Sequence, residues 1–308
     1  MTTLDLTLLP LYRLNRRELT ALPGLLAVTP PRKAARGREH DRLIVYLVLT
    51  GNATLSTAEY LQLTSQTASK FFETPGALTT AMRTATEALN HTLLDRNLGS
   101  TGRGQYTVGW LVLAVLRGAQ CTLLQSGPTH IYTLGSEAIT HTHDPTLSGK
   151  GLGLSQAAPS YFTQTDLQPG DRLIFSGKLP DKWEGALNQV GRDSIEATRR
   201  KLLSFSQDDV NAVILSAKEG TGELTVMRPA PSARPAPKEI STASPTGAEN
   251  LPSLGKQASA SPAAPPEAST PDDVEPEEDV AEFTPSAYSI PPQAEEGGLP
   301  EIEQVLRS

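Results

Sequence analysis

Few residues in this sequence carry reactive chemistry. His141-Thr-His143-Asp144 puts two imidazoles on one face of a strand beside a carboxylate, a set able to hold zinc or a similar cation. No further histidine follows it, and a solvated strand end is the plainer reading. Gly99-Ser-Thr-Gly-Arg-Gly104 and Ser148-Gly-Lys-Gly-Leu-Gly153 are glycine-rich and basic. Neither has the strand–loop–helix setting or the Gly-Lys-Ser/Thr ending whose amides cradle nucleotide phosphates, so both read as flexible loops. The single cysteine, Cys121, lies mid-strand without a neighbour to lower its pKa, and no Gly-x-Ser-x-Gly elbow occurs. Covalent nucleophilic catalysis therefore has no carrier, and Cys121 reads as core filling in a reducing compartment. Trp110 and Trp183 read as packing residues.

The elements that would position such residues change along the chain. Arg42-Leu-Ile-Val-Tyr-Leu-Val-Leu-Thr50 is apolar enough for a strand buried on both faces, and Gly51-Asn52 ends it. A helix follows from about Thr57 to Phe72. Leu78, Ala81, Met82, Ala85, Ala88, Leu89, Thr92 and Leu93 then recur at three and four residues, predicting a second helix to about Arg96. Runs at 105–116, 120–125 and 130–134, split by short glycine turns, predict an antiparallel meander. A strand over 172–176, short helices around 183–190 and 194–203, and strands over 210–216 and 223–227 complete the pattern. Antiparallel sheets covered by helices suit a layered α/β (α+β) protein.

Composition shifts near residue 228. Residues 229–308 hold 15 of the 25 prolines and 14 acidic against 4 basic side chains, so the chain's formal −7 comes from this segment. It reads as a disordered acidic Pro/Ala/Ser-rich tail. Residues 300–307 group Ile302, Val305 and Leu306, either as a short docking helix or as an unstructured end. Residues 1–228 hold 23 basic and 20 acidic side chains, without the clustered charge that duplex nucleic acid requires. No apolar run is long enough to span a bilayer, and a cytoplasmic location is expected.

Six pieces recur in a familiar order: Val48-Leu-Thr-Gly51, Gly102-Arg-Gly104, the hairpin Gln125-Ser-Gly-Pro-Thr-His-Ile-Tyr132, Leu167-Gln-Pro-Gly-Asp171, Arg172-Leu-Ile-Phe-Ser-Gly177, and Asp208-Asp-Val-Asn-Ala-Val-Ile-Leu215. Together with the helix pair they resemble the metal-dependent (type 2C) protein phosphatases over residues 1–228. That resemblance implies an α-β-β-α sandwich of two mainly antiparallel sheets flanked by helix pairs. It also implies divalent Mg²⁺ or Mn²⁺ held by carboxylates around a water that attacks phosphorus.

Carried over by position, the bridging aspartate of the family's Asp-Gly pair falls at Thr50, with Gly51 kept. The aspartate of its Ser-Asp-Gly loop falls at Gly177, with Lys178 beside it. The hairpin aspartate falls at Pro128. Asp208 keeps the last ligand position, Asp209 is its neighbour, and Asp41 is a weaker match for an early ligand. Arg32, Arg36 and Arg38 are candidates for the phosphate-binding arginine. The resemblance thus implies a pseudophosphatase-like module that uses no cofactor and binds a protein, a phosphoprotein or kinase-pathway component. Two alternatives stay open: a divergent Mg/Mn-dependent phosphatase using Asp41, Asp208 and Asp209, and an unrelated α/β scaffold tethered by its tail.

Overall fold

The computed structural model describes residues 3–136, 138–187 and 193–229. Expectations for the tail, including the 300–307 docking segment, fall outside the described residues.

Twelve strands and five α-helices follow in the order β1 (Leu4–Leu14), β2 (Arg17–Leu19), β3 (Leu25–Val28), β4 (Arg42–Gly51), α1 (Thr57–Glu73), α2 (Leu78–Ser100), β5 (Thr107–Arg117), β6 (Gln120–Ser126), β7 (His130–Leu134), β8 (Ile139–Thr142), α3 (Pro145–Ser148), β9 (Tyr161–Asp166), β10 (Arg172–Ser176), α4 (Trp183–Leu187), α5 (Ile195–Phe205), β11 (Val210–Glu219) and β12 (Leu224–Val226) among the described residues. One sheet runs β12-β1-β11-β10-β7-β8, with β2 also on β1; the other runs β3-β4-β5-β6-β9.

Four layers result because the long strands bury both faces. On β4, Ile44, Tyr46 and Val48 point between the sheets, while Leu43, Val45 and Leu47 meet α1 and α2. On β11, Val213 and Leu215 point between the sheets, while Ala212 and Ile214 meet α4 and α5. The predicted α-β-β-α sandwich of mainly antiparallel sheets is the architecture found.

Two local points differ from expectation. The meander is not one sheet: β5 and β6 belong to the second sheet and β7 to the first. The chain crosses between them at Gly127, whose φ of +94° only glycine adopts readily. Strand β1, antiparallel to β11 over ten residue pairs, has no counterpart in the sequence reading. Pro10 obscures it, yet β12 pairs with residues 6–8 and β2 with 12–14, so Pro10 falls in the gap where no ladder donor is needed on that side. Helix α1 begins at Thr57 as expected, behind a reciprocal capping box formed by Ser56 and Glu59.

The two glycine-rich segments are not free loops. The first is the end of α2, running into a 3-10 turn that Gly104 closes. The second is pinned to α2 by asparagines two turns apart. Asn90 Oδ1 accepts from Gly153 N at 2.7 Å and its Nδ2 donates to the Ser155 and Gln156 carbonyls. Asn97 bonds both Thr107 backbone groups and the Gly153 carbonyl. Leu152 is thereby buried and bridges Gly109.

The start of β4 is held by a buried carboxylate. Asp41 and Arg38 are fully buried and paired at 2.7 Å, and Arg117 Nε reaches the other Asp41 oxygen at 2.6 Å. Arg38 also donates to the Thr74 and Gly76 carbonyls and lies 5.3 Å from the Phe71 ring centroid, tying β4 to the α1–α2 turn.

Two consequences are measurable by urea denaturation. Asp41→Ala strands a buried guanidinium and is expected to cost about 3–5 kcal/mol. Asn90→Ala leaves the Gly153 amide and two carbonyls unpartnered and is expected to cost about 2–3 kcal/mol, with unchanged m.

Candidate functional site

Strand register decides which of the sequence-picked residues can meet. Thr50 lies at the C-terminal end of β4, opposite Val108 of β5. Ser176, at the end of β10, stands opposite Ala212 of β11 and His130 of β7. Tyr46 and Val48 reach across from β4: the Tyr46 hydroxyl lies 2.8 Å from the Asn211 carbonyl, and Val48 packs against Gly177. Thr50, Gly51, Gly177, Asp208 and Asp209 are therefore gathered at one end of the sandwich.

Asp41 is not. It precedes the first residue of β4 and Thr50 lies nine residues further on, which at about 3.3 Å per residue puts the two roughly 30 Å apart. Both Asp41 oxygens are engaged by arginines. The single-metal arrangement of Asp41, Asp208 and Asp209 has no geometric basis, because β4 runs the length of the sheet between them. Arg38 is likewise buried and committed to Asp41, so it does not face a substrate; Arg32 and Arg36 are exposed.

At the gathered end, each position has an ordinary structural occupation. Thr50 Oγ1 points to the Val108 carbonyl at 3.4 Å. Gly51 has a φ of +113°, and a Cβ there would meet the Tyr106 carbonyl oxygen at 2.4 Å, so only glycine fits. A Cβ on Gly177 would lie 2.9 Å from a Val48 methyl. Lys178 is exposed, and its carbonyl accepts from Ser176 Oγ. Pro128 sits in the β6–β7 crossing, after a Gly127 packed against Trp110.

Tyrosines occupy the rest. Tyr46 is fully buried, and burial raises its pKa, so the phenol stays neutral. Tyr60 of α1 accepts from the Leu49 amide at 3.3 Å and is also raised by burial. Tyr12 of β1 is raised by burial and by the charge of Asp209. These aromatic positions were not singled out from sequence. Tyr46, a polar tip in the middle of the apolar inner face of β4, was the available signal.

The two retained carboxylates are exposed. Asp209 Oδ1 accepts from the Asn15 amide at 2.7 Å, closing the β1–β2 turn, where Asn15 and Arg16 both have positive φ. Asp208 lines an open cleft of about 320 Å³ with Asp181, Lys182, Ser204 and Phe205. Among the described residues, no three His, Cys, Asp or Glu side chains converge to hold one metal ion. The donors at this end do not fit a Mg²⁺ or Mn²⁺ cluster, which needs several converging hard oxygens.

The imidazole set of the sequence is larger than it looked. His130 joins His141 and His143 on one face of the β7–β8 hairpin. Alternation places His130 and Tyr132 on the same face of β7, and that period was the signal available. Cys121 is buried between the sheets, and burial pushes its thiol up to about 12, so it is inert at neutral pH. No helix among the described residues is long and apolar enough to cross a membrane.

No protein-family model matches the sequence, and a comparison with curated proteins finds no match. Solved structures do match in shape. A bacterial serine phosphatase carrying an arginine-to-alanine substitution superposes with a TM-score of 0.52 at 15% identity, covering 71% of this chain and 100% of that one. The serine/threonine phosphatase Stp1 from Staphylococcus aureus superposes with a TM-score of 0.51 at 16% identity, covering 71% of this chain and 96% of that one. With its two antiparallel sheets between helix layers, this chain has the fold of the metal-dependent, type 2C serine/threonine phosphatases.

Proposed function

We propose that this chain is a pseudophosphatase-like binding module, one that keeps the type 2C phosphatase shape and recognises a protein partner without hydrolysing phosphate. One observation carries the reading: Val48 fills the space into which a side chain at Gly177 would project. That glycine stands where the resemblance puts a metal-holding aspartate. The packing there leaves residue 177 little room for a metal-holding side chain. Thr50 and Pro128 replace two further carboxylates, and the exposed Lys178 adds a positive charge that opposes metal binding.

Recognition in this reading uses the surface that active members of the fold present to substrate. The open cleft beside Asp208 carries both a lysine, Lys182, and exposed carboxylates. Such mixed charge suits a protein surface, including a phosphorylated one, better than a bare anion. The folded domain would span residues 1–228, with the acidic, proline-rich 229–308 as a tether to an assembly in the cytoplasm.

Purified full-length protein is expected to show no Mn²⁺-dependent hydrolysis of p-nitrophenyl phosphate, and no rise in Tm on adding Mn²⁺ or Mg²⁺. Robust hydrolysis that Asp208→Ala abolishes would overturn the proposal. The packing of Val48 on Gly177 has its own test. Gly177→Asp alone is expected to lose about 1–3 kcal/mol through overpacking, and Val48→Ala in the same chain to restore part of it. If Gly177→Asp were neutral and conferred a Mn²⁺-dependent Tm, the end would be open to metal after all.

A further inference from the structure

The three imidazoles of the β7–β8 hairpin are arranged in two different ways. His143 lies face to face over His130, with ring centroids 3.8 Å apart and planes 7° apart. Tyr132 lies face to face over His141 at 4.1 Å and 3°. Between these two stacks, His130 and His141 have centroids 5.3 Å apart and planes within 10°, yet His130 Nδ1 and His141 Nε2 are only 3.1 Å apart. That combination is an edge-to-edge meeting of two nearly coplanar rings. One of the two nitrogens carries its ring's N–H and donates it to the in-plane lone pair of the other.

The motif visible in the sequence is not the pair that converges. His143 Nδ1 faces the Thr129 carbonyl at 3.0 Å; since a carbonyl only accepts, this nitrogen carries the proton. Asp144 is also committed, one oxygen accepting from the Thr146 and Leu147 amides at the start of α3. The convergent donors are one from each strand, His130 and His141.

We propose that His130 Nδ1 and His141 Nε2 form a two-histidine site for a late first-row divalent cation, Zn²⁺ or Cu²⁺, whose remaining positions are filled by water. Two imidazole nitrogens on one zinc at about 2.0–2.1 Å, spread by a tetrahedral angle, lie about 3.3–3.4 Å apart, so the observed 3.1 Å must open by a few tenths of an ångström and the two rings must turn until both lone pairs face one point beside the line between them. Imidazole suits these ions and not the hard Mg²⁺ or Mn²⁺. The stacked His143 and Tyr132 rings hold the two ligand planes in place, as supporting groups around a metal site do. His141 is exposed and His130 half-buried, so a cation can enter from solvent.

Protonation does not stand in the way. Burial, then the neighbouring His143 and His141, pushes His130 down to about 4. Burial and His143 lower His141, and the charge of Glu184, the carboxylate facing it from α4, opposes that shift. Both rings are therefore neutral at pH 7, and the proton between them is one ring's own N–H, which moves to that ring's other nitrogen when a cation takes its place.

The test uses tag-free full-length protein stripped with a chelator. Calorimetric titration with Zn²⁺ at pH 7 is expected to show one site with little net proton release, and the Cu²⁺ complex to show hyperfine coupling to two nitrogens by electron paramagnetic resonance. His130→Ala and His141→Ala should each weaken binding by about tenfold or more, while His91→Ala leaves it unchanged. In the unmutated chain, the ring resonances of His130 and His141 should move with Zn²⁺ and those of His40 and His91 stay put, a readout that needs no variant to fold. Absence of binding, undiminished affinity in the His130 and His141 variants, or unmoved ring resonances at saturation would each overturn the site. None of these outcomes bears on phosphate hydrolysis.

Discussion

The packing of two sheets face to face governs everything at the functional end of this molecule. Sheets stacked about 10 Å apart leave room only for side chains that interdigitate. Ile44, Tyr46 and Val48 of β4 enter that gap opposite Phe175 of β10 and Val213 and Leu215 of β11. Once Val48 is there, residue 177 has no space for a side chain. Once Tyr46 is there, its hydroxyl needs a partner, because a buried hydroxyl without one costs about 1–3 kcal/mol. Asn211 supplies it from the facing sheet.

Charge burial separates structural from chemical carboxylates. The fully buried Asp41 is tolerated because two guanidiniums and their hydrogen bonds surround it. A metal cluster works by the same rule with a cation in place of arginine: converging carboxylates repel unless something positive lies between them. Asp208 and Asp209 do not converge and are exposed. Exposed to water, they need no neighbouring cation to offset their charge.

Much of this fold is legible in the sequence because strands buried on both faces read as continuous apolar runs, as 43–49 and 111–116 do. The helix pair is legible through its period. Illegible were the segments whose partners lie far along the chain. Strand β1 mixes Thr, Asp and Pro, and its place is set by β11, some two hundred residues away. Edge strand β9 is half polar because only one side of it is paired. The sheet switch at Gly127 is invisible to any local pattern, since a tight turn looks the same whether the next strand pairs with its neighbour or crosses to the other sheet. At the site, Thr50 and Gly177 could be placed by motif order. Asp41 was a weaker match, and its place directly before the strand that Thr50 ends already sets the two about nine residues of extended chain apart.

The histidines show the same limit at shorter range. A His-x-His pair along one strand shares a face, but its members are about 6.6–6.8 Å apart by backbone geometry, and the His141 and His143 rings keep to 5.8 Å. Neighbours across a ladder approach to about 4.5–5.5 Å between Cβ atoms, with diagonal partners still in reach of long side chains. Two imidazoles therefore meet more readily across a hairpin than along a strand. The partner that matters is fixed by register, which the local sequence does not display. His130 stands opposite Ser176, one residue before Gly177. A cation joining His130 to His141 would thus tie β8 to β7 beside the end of the sandwich where Val48 packs on Gly177.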